Sequence, residues 1–493
     1  MTGELVPITD LVQVEHFFIV WVSQKSKKCS KDLLKKGFPK VIPPLHTKGI
    51  LSRKRRYSIS SLRKPGRGRA CNAMRVALWL LVTGAVSFGP IHPPPGALYA
   101  VNAADGTMRW NFSTAAGGPV VARPAVSADD RTVYVGAYDS SFYALDTRDG
   151  TLRWNFSTGG PVISSPVLSA DQQTVFFGSS DCSLYALDTR DGTLRWNFST
   201  GGPVISSPAL AADQAVVYVG SEDHSLYAVD AADGTLRWSC PTGGAVSSSP
   251  VVSADHEAVY AGSRDRSLYA FSTAEAVAAP GSSLPHQGPK SPRVSRTTPA
   301  STSTVRVRAP PNSTSATCAP LWVAAIGGLV IAGPALSADQ RTAFVGSTNQ
   351  NPQTLHAIRT ADGTSSWSFN TNGTVTADPA LSPDQTTVYV GSWDGNVYAI
   401  SAADGRPRWT FSTGNRVLSS PAVSAALSTL FFGSEDQHLY AINAIDGVLR
   451  WRFLAPGPVS ASPTLSADQS TVFVGSLAGQ GHKTSDHTAH RED

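Results

Sequence analysis

Along residues 205–246 four short apolar or β-branched runs alternate with polar separators: 206–210, 215–219, 225–229 and 235–239. The separators read Ala-Ala-Asp-Gln, Gly-Ser-Glu-Asp-His, Ala-Ala-Asp-Gly and Thr-Gly-Gly, which are turn chemistries rather than helix caps. No run reaches helical length. Alternation within the runs is only partial, as expected of strands covered on both faces. Four antiparallel strands in a unit of this length predict one blade of a β-propeller.

The unit returns about every 42 residues, and its most conspicuous stretch is 226–238, LYAVDAADGTLRW. The repeat tryptophans are Trp110, Trp154, Trp196, Trp238, Trp322, Trp367, Trp409 and Trp451, spaced 44, 42, 42, 84, 45, 42 and 42 residues apart. Seven of them follow an Asp-Gly or similar turn whose glycine is Gly106, Gly150, Gly192, Gly234, Gly363, Gly405 or Gly447; Trp322 alone does not. Asp-Gly supplies the positive φ of a tight hairpin. A large indole at one fixed place per blade suits a wedge between neighbouring sheets, its N–H needing a partner once buried.

The chain enters the pattern in mid-blade at Leu98-Tyr99-Ala100 and leaves it in mid-blade at Thr471–Gly475. Pairing these two halves would close the ring and remove exposed edges. The expectation is an all-β, eight-bladed propeller of four-stranded antiparallel blades, closed by the N- and C-terminal half-blades. The 84-residue gap tests that count. Residues 274–320 are rich in Pro, Ser, Thr, Ala and Arg, a linker composition. Read as an insertion in a third-to-fourth strand hairpin they leave eight blades, in two parts at 96–273 and 321–477. A ninth unit in a shifted frame, or an unspliced intron, gives the same spacing.

The string Ala228-x-Asp230-x-x-Asp233-Gly234-x-x-x-Trp238 resembles the tryptophan-docking motif of PQQ-like, quinoprotein-type propeller repeats, with Asp233 where that family usually has Thr. The resemblance implies an eight-bladed fold shared by enzymes and non-catalytic scaffolds. Dehydrogenases of the family hold PQQ and a calcium ion at the propeller axis, with an axial Asp base, a Glu/Asn/Asp calcium set and often a disulfide between adjacent cysteines. Here Cys29, Cys71, Cys182, Cys240 and Cys318 include no neighbouring pair. No His-Glu-x-x-His, Gly-x-Ser-x-Gly, Walker-type loop or Cys-x-x-Cys occurs.

Charge divides the chain. Residues 1–73 carry 16 Lys/Arg against four Asp/Glu, so with a whole-chain net charge of +5 the remainder sums to −7. The head reads as a basic, disordered segment. Residues 74–89 have a charged start, an apolar run and a small-x-small site at Ala85-Val86-Ser87, the anatomy of a signal peptide. Translation begins at Met74, or the segment is an internal signal-anchor behind a cytosolic head, or it is a plain apolar segment of no consequence. The first two place the propeller outside the cytosol, in the secretory pathway, extracellular or membrane-tethered; the third leaves the compartment open. The tail 478–493 is polar, and its His482, His487 and His490 lack metal-ligand spacing.

Function is expected where blades differ. The loop between second and third strands keeps an Asp but changes its neighbours, giving Tyr138, Glu222, His224, Arg264, Arg266, Trp393 and Glu435 as candidate binding residues. The leading reading is a monomeric, non-catalytic scaffold with a protein or glycan partner on this loop face, no bound cofactor and no nucleic acid. The alternative is a PQQ- and calcium-dependent alcohol or sugar oxidoreductase. Among the Asn-x-Ser/Thr sites Asn111, Asn155, Asn197, Asn312 and Asn372, the linker Asn312 is the expected glycan acceptor.

Overall fold

A computed structural model describes residues 96–115, 117–273, 319–348 and 353–477. The basic head, the 74–89 segment, the stretch 274–318 with Asn312, and the tail lie outside these residues. The described chain forms 32 strands, from β1 (Ala97–Asn102) to β32 (Thr471–Gly475), in eight four-stranded antiparallel sheets. The expected eight-bladed propeller is therefore what the sequence builds. Among the described residues no helix is long and apolar enough to cross a membrane.

The blade predicted from 205–246 consists of β11 (Ala209–Leu210), β12 (Val216–Gly220), β13 (Ser225–Asp230) and β14 (Leu236–Pro241), paired in that order. Its second strand is buried at every position, whereas the outer fourth strand alternates between exposure and burial. That difference explains why alternation was only partial in the sequence. Ring closure runs through β1 and β32, where Ala100 faces Phe473. The interrupted blade is completed by β18 (Pro320–Ala325), which pairs with β17 (Ser267–Ser272) and sets Trp322 opposite Ala270.

Register explains the invariant alanine. In every blade the third-strand Ala faces the tryptophan across the hairpin, as Ala228 faces Trp238, and a β-bulge follows. A small side chain there leaves the indole free to lean outward. It leans onto the next blade. Trp196 lies against Gly234, where an added Cβ would sit 2.7 Å from the indole Cε3, and its Nε1 donates to the carbonyl of Ala231 at 3.1 Å. Six further indoles repeat this seating, among them Trp451, which closes the ring on Gly106 with its Nε1 bonded to the Ala103 carbonyl. The glycine of the sequence motif thus serves the tryptophan of the preceding copy. For Trp238 the corresponding seat lies outside the described residues.

Core clusters likewise straddle blades. One joins Phe176, Leu184 and Trp196 to Val217, Val219 and Val229 of the next sheet. Each such side chain contributes about 1.5–3 kcal/mol on burial, so a lone blade loses most of its support. A polar link runs around the same end of the blades as the hairpins that seat the tryptophans. In the first-to-second strand turns, the amide oxygens of Gln172, Gln214, Gln340, Gln385 and Gln469 accept backbone N–H bonds from the preceding blade, Ala170 to Gln214 at 2.9 Å being one. Cys182 is free and half-buried; Cys240 is disulfide-bonded, with a partner outside the described residues.

Gly234→Ala combines a positive φ of +76° with the Trp196 contact, whereas Gly327 has a φ of +90° and nothing within 4 Å. Gly327→Ala is expected to cost about 1–2 kcal/mol from backbone strain alone. Gly234→Ala should cost about 1–3 kcal/mol more through overpacking. Equal denaturation midpoints for the two variants would refute the seating of the indole as the deciding contact.

Candidate functional site

The loop face is built six times from one device. After each second strand comes a three-residue tip whose middle member is Asp139, Asp181, Asp223, Asp265, Asp394 or Asp436. The tyrosine four residues on donates its hydroxyl to this carboxylate: Tyr227 to Asp223 at 2.7 Å, the others at 2.5–2.8 Å. In five blades the same carboxylate accepts a backbone N–H from the connection leading out of the preceding blade, as from Gly201 to Asp223 at 2.7 Å. The persistent Asp is therefore an inter-blade clamp.

The residues on either side of it have fixed places. The first tip residue donates its backbone N–H to that same connection, as Glu222 does to the Pro203 carbonyl. The third adopts a left-handed conformation, φ being 75° at both His224 and Arg266. At the first position five of the six residues are half-buried; at the third, His224, Arg266 and Gln437 are exposed, whereas Ser140 and Cys182 are half-buried. Tyr138 is 45% exposed. Glu222 and Arg264, from adjacent blades, form an ion pair at 3.0 Å. The guanidinium of Arg416 lies 4.7 Å over the Trp393 ring, a cation–π contact. Glu435 donates its backbone N–H to the Arg416 carbonyl, so Arg416 joins two of the candidate loops.

Arg416 was missed by the sequence reading. Its signal was present: connections elsewhere read Gly159-Gly160-Pro161 and Gly201-Gly202-Pro203, whereas here they read Gly414-Asn415-Arg416. One blade abandons the clamp altogether. Where the others have tyrosine it has His356, half-facing Ser347 Oγ at 3.3 Å and pushed down to about 4 by burial. The sequons Asn111, Asn155 and Asn197 lie exposed on outer strands β2 (Met108–Ser113), β6 (Leu152–Ser157) and β10 (Leu194–Ser199).

A second polar feature lines the axis. Two residues before each first strand stands one equivalent position per blade: Arg123, Ser165, Ser207, Ser249, Gly333, Asp378, Ser420 and Ser462, of which Arg123, Asp378 and Ser420 line one cavity. Backbone N–H groups pass bonds along this ring, from Arg123 to Ser165 Oγ, Ser165 to Ser207, Ser207 to Ser249, Gly333 to Asp378, Asp378 to Ser420 and Ser420 to Ser462. Calcium takes six to eight oxygen ligands, typically with several carboxylates. Among the described residues no three His, Cys, Asp or Glu side chains come together, and the ring supplies one carboxylate, so these residues do not fit a calcium-held quinone.

Fold and docking geometry together define an eight-bladed propeller of PQQ-type repeats. The chain belongs to the family described as outer membrane protein assembly factor BamB, whose model matches residues 79–207, 196–279 and 351–485. Among solved structures it is similar to BamB from Moraxella catarrhalis, at 16% identity over 78% of this chain and 92% of that one, with a TM-score of 0.48. The computationally designed Ika8 protein matches at 14% identity over 73% of this chain and 97% of its own, with a TM-score of 0.53, a likeness of fold. No curated protein matches the sequence.

Burial, and then the bond to the carboxylate, push Tyr185, Tyr227, Tyr269 and Tyr398 up to about 12. A raised folded-state value means the clamp's contribution is complete below pH 10 and is lost as pH rises from 10 through 12. Tyr227→Phe should cost about 1–3 kcal/mol at pH 8, the bond being to a charged acceptor. That deficit should shrink above pH 12 in urea unfolding. A deficit equal at pH 8 and pH 12 would disprove the linkage.

Proposed function

We propose that this protein is a non-catalytic scaffold that holds a protein partner on its loop face. One observation carries the reading: six tips share a backbone fixed by the Asp–Tyr clamp and a left-handed third residue, while the side chains around the clamp change from blade to blade. A rigid frame with varied aromatic, acidic and basic side chains suits recognition, because ordering costs are already met in the free state. Tyr138, Trp393 and Arg264 belong to the residue types that dominate binding energy at interfaces. The name of the matching family, an assembly factor for outer membrane proteins, supports a role in bringing other proteins together.

We place the propeller outside the cytosol, associated with a membrane or secreted, with 74–89 as its export or tethering signal; the family name and the anatomy of that segment support this. The propeller acts as a monomer and its net acidity disfavours nucleic acid.

The test is site-specific photo-crosslinking in cells, with a benzophenone amino acid at Tyr138, His224 or Trp393, and at Asp171 or Asp213 in the opposite-face turns as controls. A discrete protein adduct from the loop-face positions alone is expected. With that partner purified, Trp393→Ala should weaken binding about 30-fold, the loss of a hot spot worth roughly 2 kcal/mol. Adducts from the turn positions only, or an affinity unchanged by Trp393→Ala, would overturn the reading. Binding to a glycan array without any protein adduct would replace the protein partner with a glycan.

A further inference from the structure

The channel ring contains a pair of residues that the propeller itself does not require. Five of its eight positions are serine, whose hydroxyl accepts the backbone bond that links blade to blade. At two positions charges replace it, Arg123 and Asp378, three blades apart and separated by Ser420 and Ser462. Asp378 Oδ1 still accepts the bond from Gly333 N–H at 2.6 Å. Arg123 has no acceptor to offer, so the chain of bonds ends there. Its Nε donates to Thr464 Oγ1 at 3.2 Å.

Between them lies a cavity of about 590 Å³, the size range of small-ligand sites. Its walls include the inner strands β23 (Ala380–Leu381), β27 (Ala422–Ser424) and β31 (Thr464–Leu465). Each is the terminal strand of its sheet, so backbone N–H and C=O groups line the cavity between the two charges. Arg123 forms no ion pair within 4 Å among the described residues, and it is exposed to solvent beside the cavity. Partial desolvation raises Asp378 and lowers Arg123, and the field of each on the other offsets only part of that. Both groups therefore lack a close counter-charge. A bare anion at Arg123 would be repelled by Asp378, and a bare cation at Asp378 by Arg123.

We propose that this axial cavity binds a small zwitterion, its carboxylate on Arg123 and its ammonium on Asp378, as a free amino acid or a short unblocked peptide would present them. The exposed backbone of the inner strands would bond the amides of such a peptide. This site is independent of the loop face, and neither reading needs the other.

Titration calorimetry on the full chain tests it with tri-alanine, N-acetyl-tri-alanine, tri-alanine amide and glycine as probes. Tri-alanine or glycine should bind, and each blocked peptide should bind at least tenfold more weakly than tri-alanine. Which of the two zwitterions binds separates a peptide site from an amino-acid site. Arg123→Ser and Asp378→Ser install the residue that most other blades carry; thermal melts should show both folded, and each should lower affinity at least tenfold. Equal affinity for blocked and unblocked peptides, no binding of either zwitterion at millimolar concentration, or unchanged affinity in the folded serine variants would overturn the assignment.

Discussion

Everything in this ring depends on one contact, an indole laid on the glycine of the next blade's hairpin. A four-stranded sheet of about 40 residues has two apolar faces and cannot cover either alone; stacking on its neighbours does so, and stability becomes a sum of nearest-neighbour terms. The indole makes that term specific. It brings a large apolar body to the seam, satisfies its N–H on the neighbouring backbone, and fits only where no side chain intervenes. Trp451 and Gly106 make the same contact across the closure, so the junction of the two chain ends is an ordinary seam. The β1–β32 pairing then adds backbone bonds inside a blade, so neither half-blade is left with an unpaired central strand.

Because the constraint recurs at every seam, most of the fold was legible in the linear string. Alanine persists because it faces the tryptophan across a hairpin, and glycine because an indole lands on it. The clamp Asp stands out in the string as the one constant position of a variable loop. What the string could not convey was which copy serves which. Gly234 sits four residues before Trp238 and yet holds Trp196; Gln214 sits in one turn and yet bonds the turn before it. Linear proximity suggested a self-contained motif, whereas the contacts lie between consecutive copies. The candidate face was legible as a set of variable tips, but not as pairs. Glu222 with Arg264, and Trp393 with Arg416, meet only because adjacent blades bring their tips together.

Repetition also offers a way to separate structural from functional departures. A change that maintains the fold is accompanied by its compensation. His356 replaces a clamp tyrosine in the one described blade whose tip has also lost its Asp, and it turns to Ser347 instead. The two changes explain each other. Asp146, Asp188 and Asp230 behave similarly at the ends of third strands: each holds an arginine seven residues on, at Arg153, Arg195 and Arg237 of the outer strand. Where that position is Asn102 or Asn443, the side chain caps its own turn.

Arg123, Asp378 and Arg416 differ from these. Arg123 ends a chain of bonds that serine would continue, and Asp378 carries a charge where a hydroxyl already does the structural task. Arg416 stands where four of the other connections place proline and the remaining three place Ala245, Leu329 and Thr374, none of them charged. None of the three is matched by a second change that restores what it removes. Arg123 and Arg416 are exposed and Asp378 is half-buried, so each charge stands on a regular frame where a partner outside the propeller can reach it.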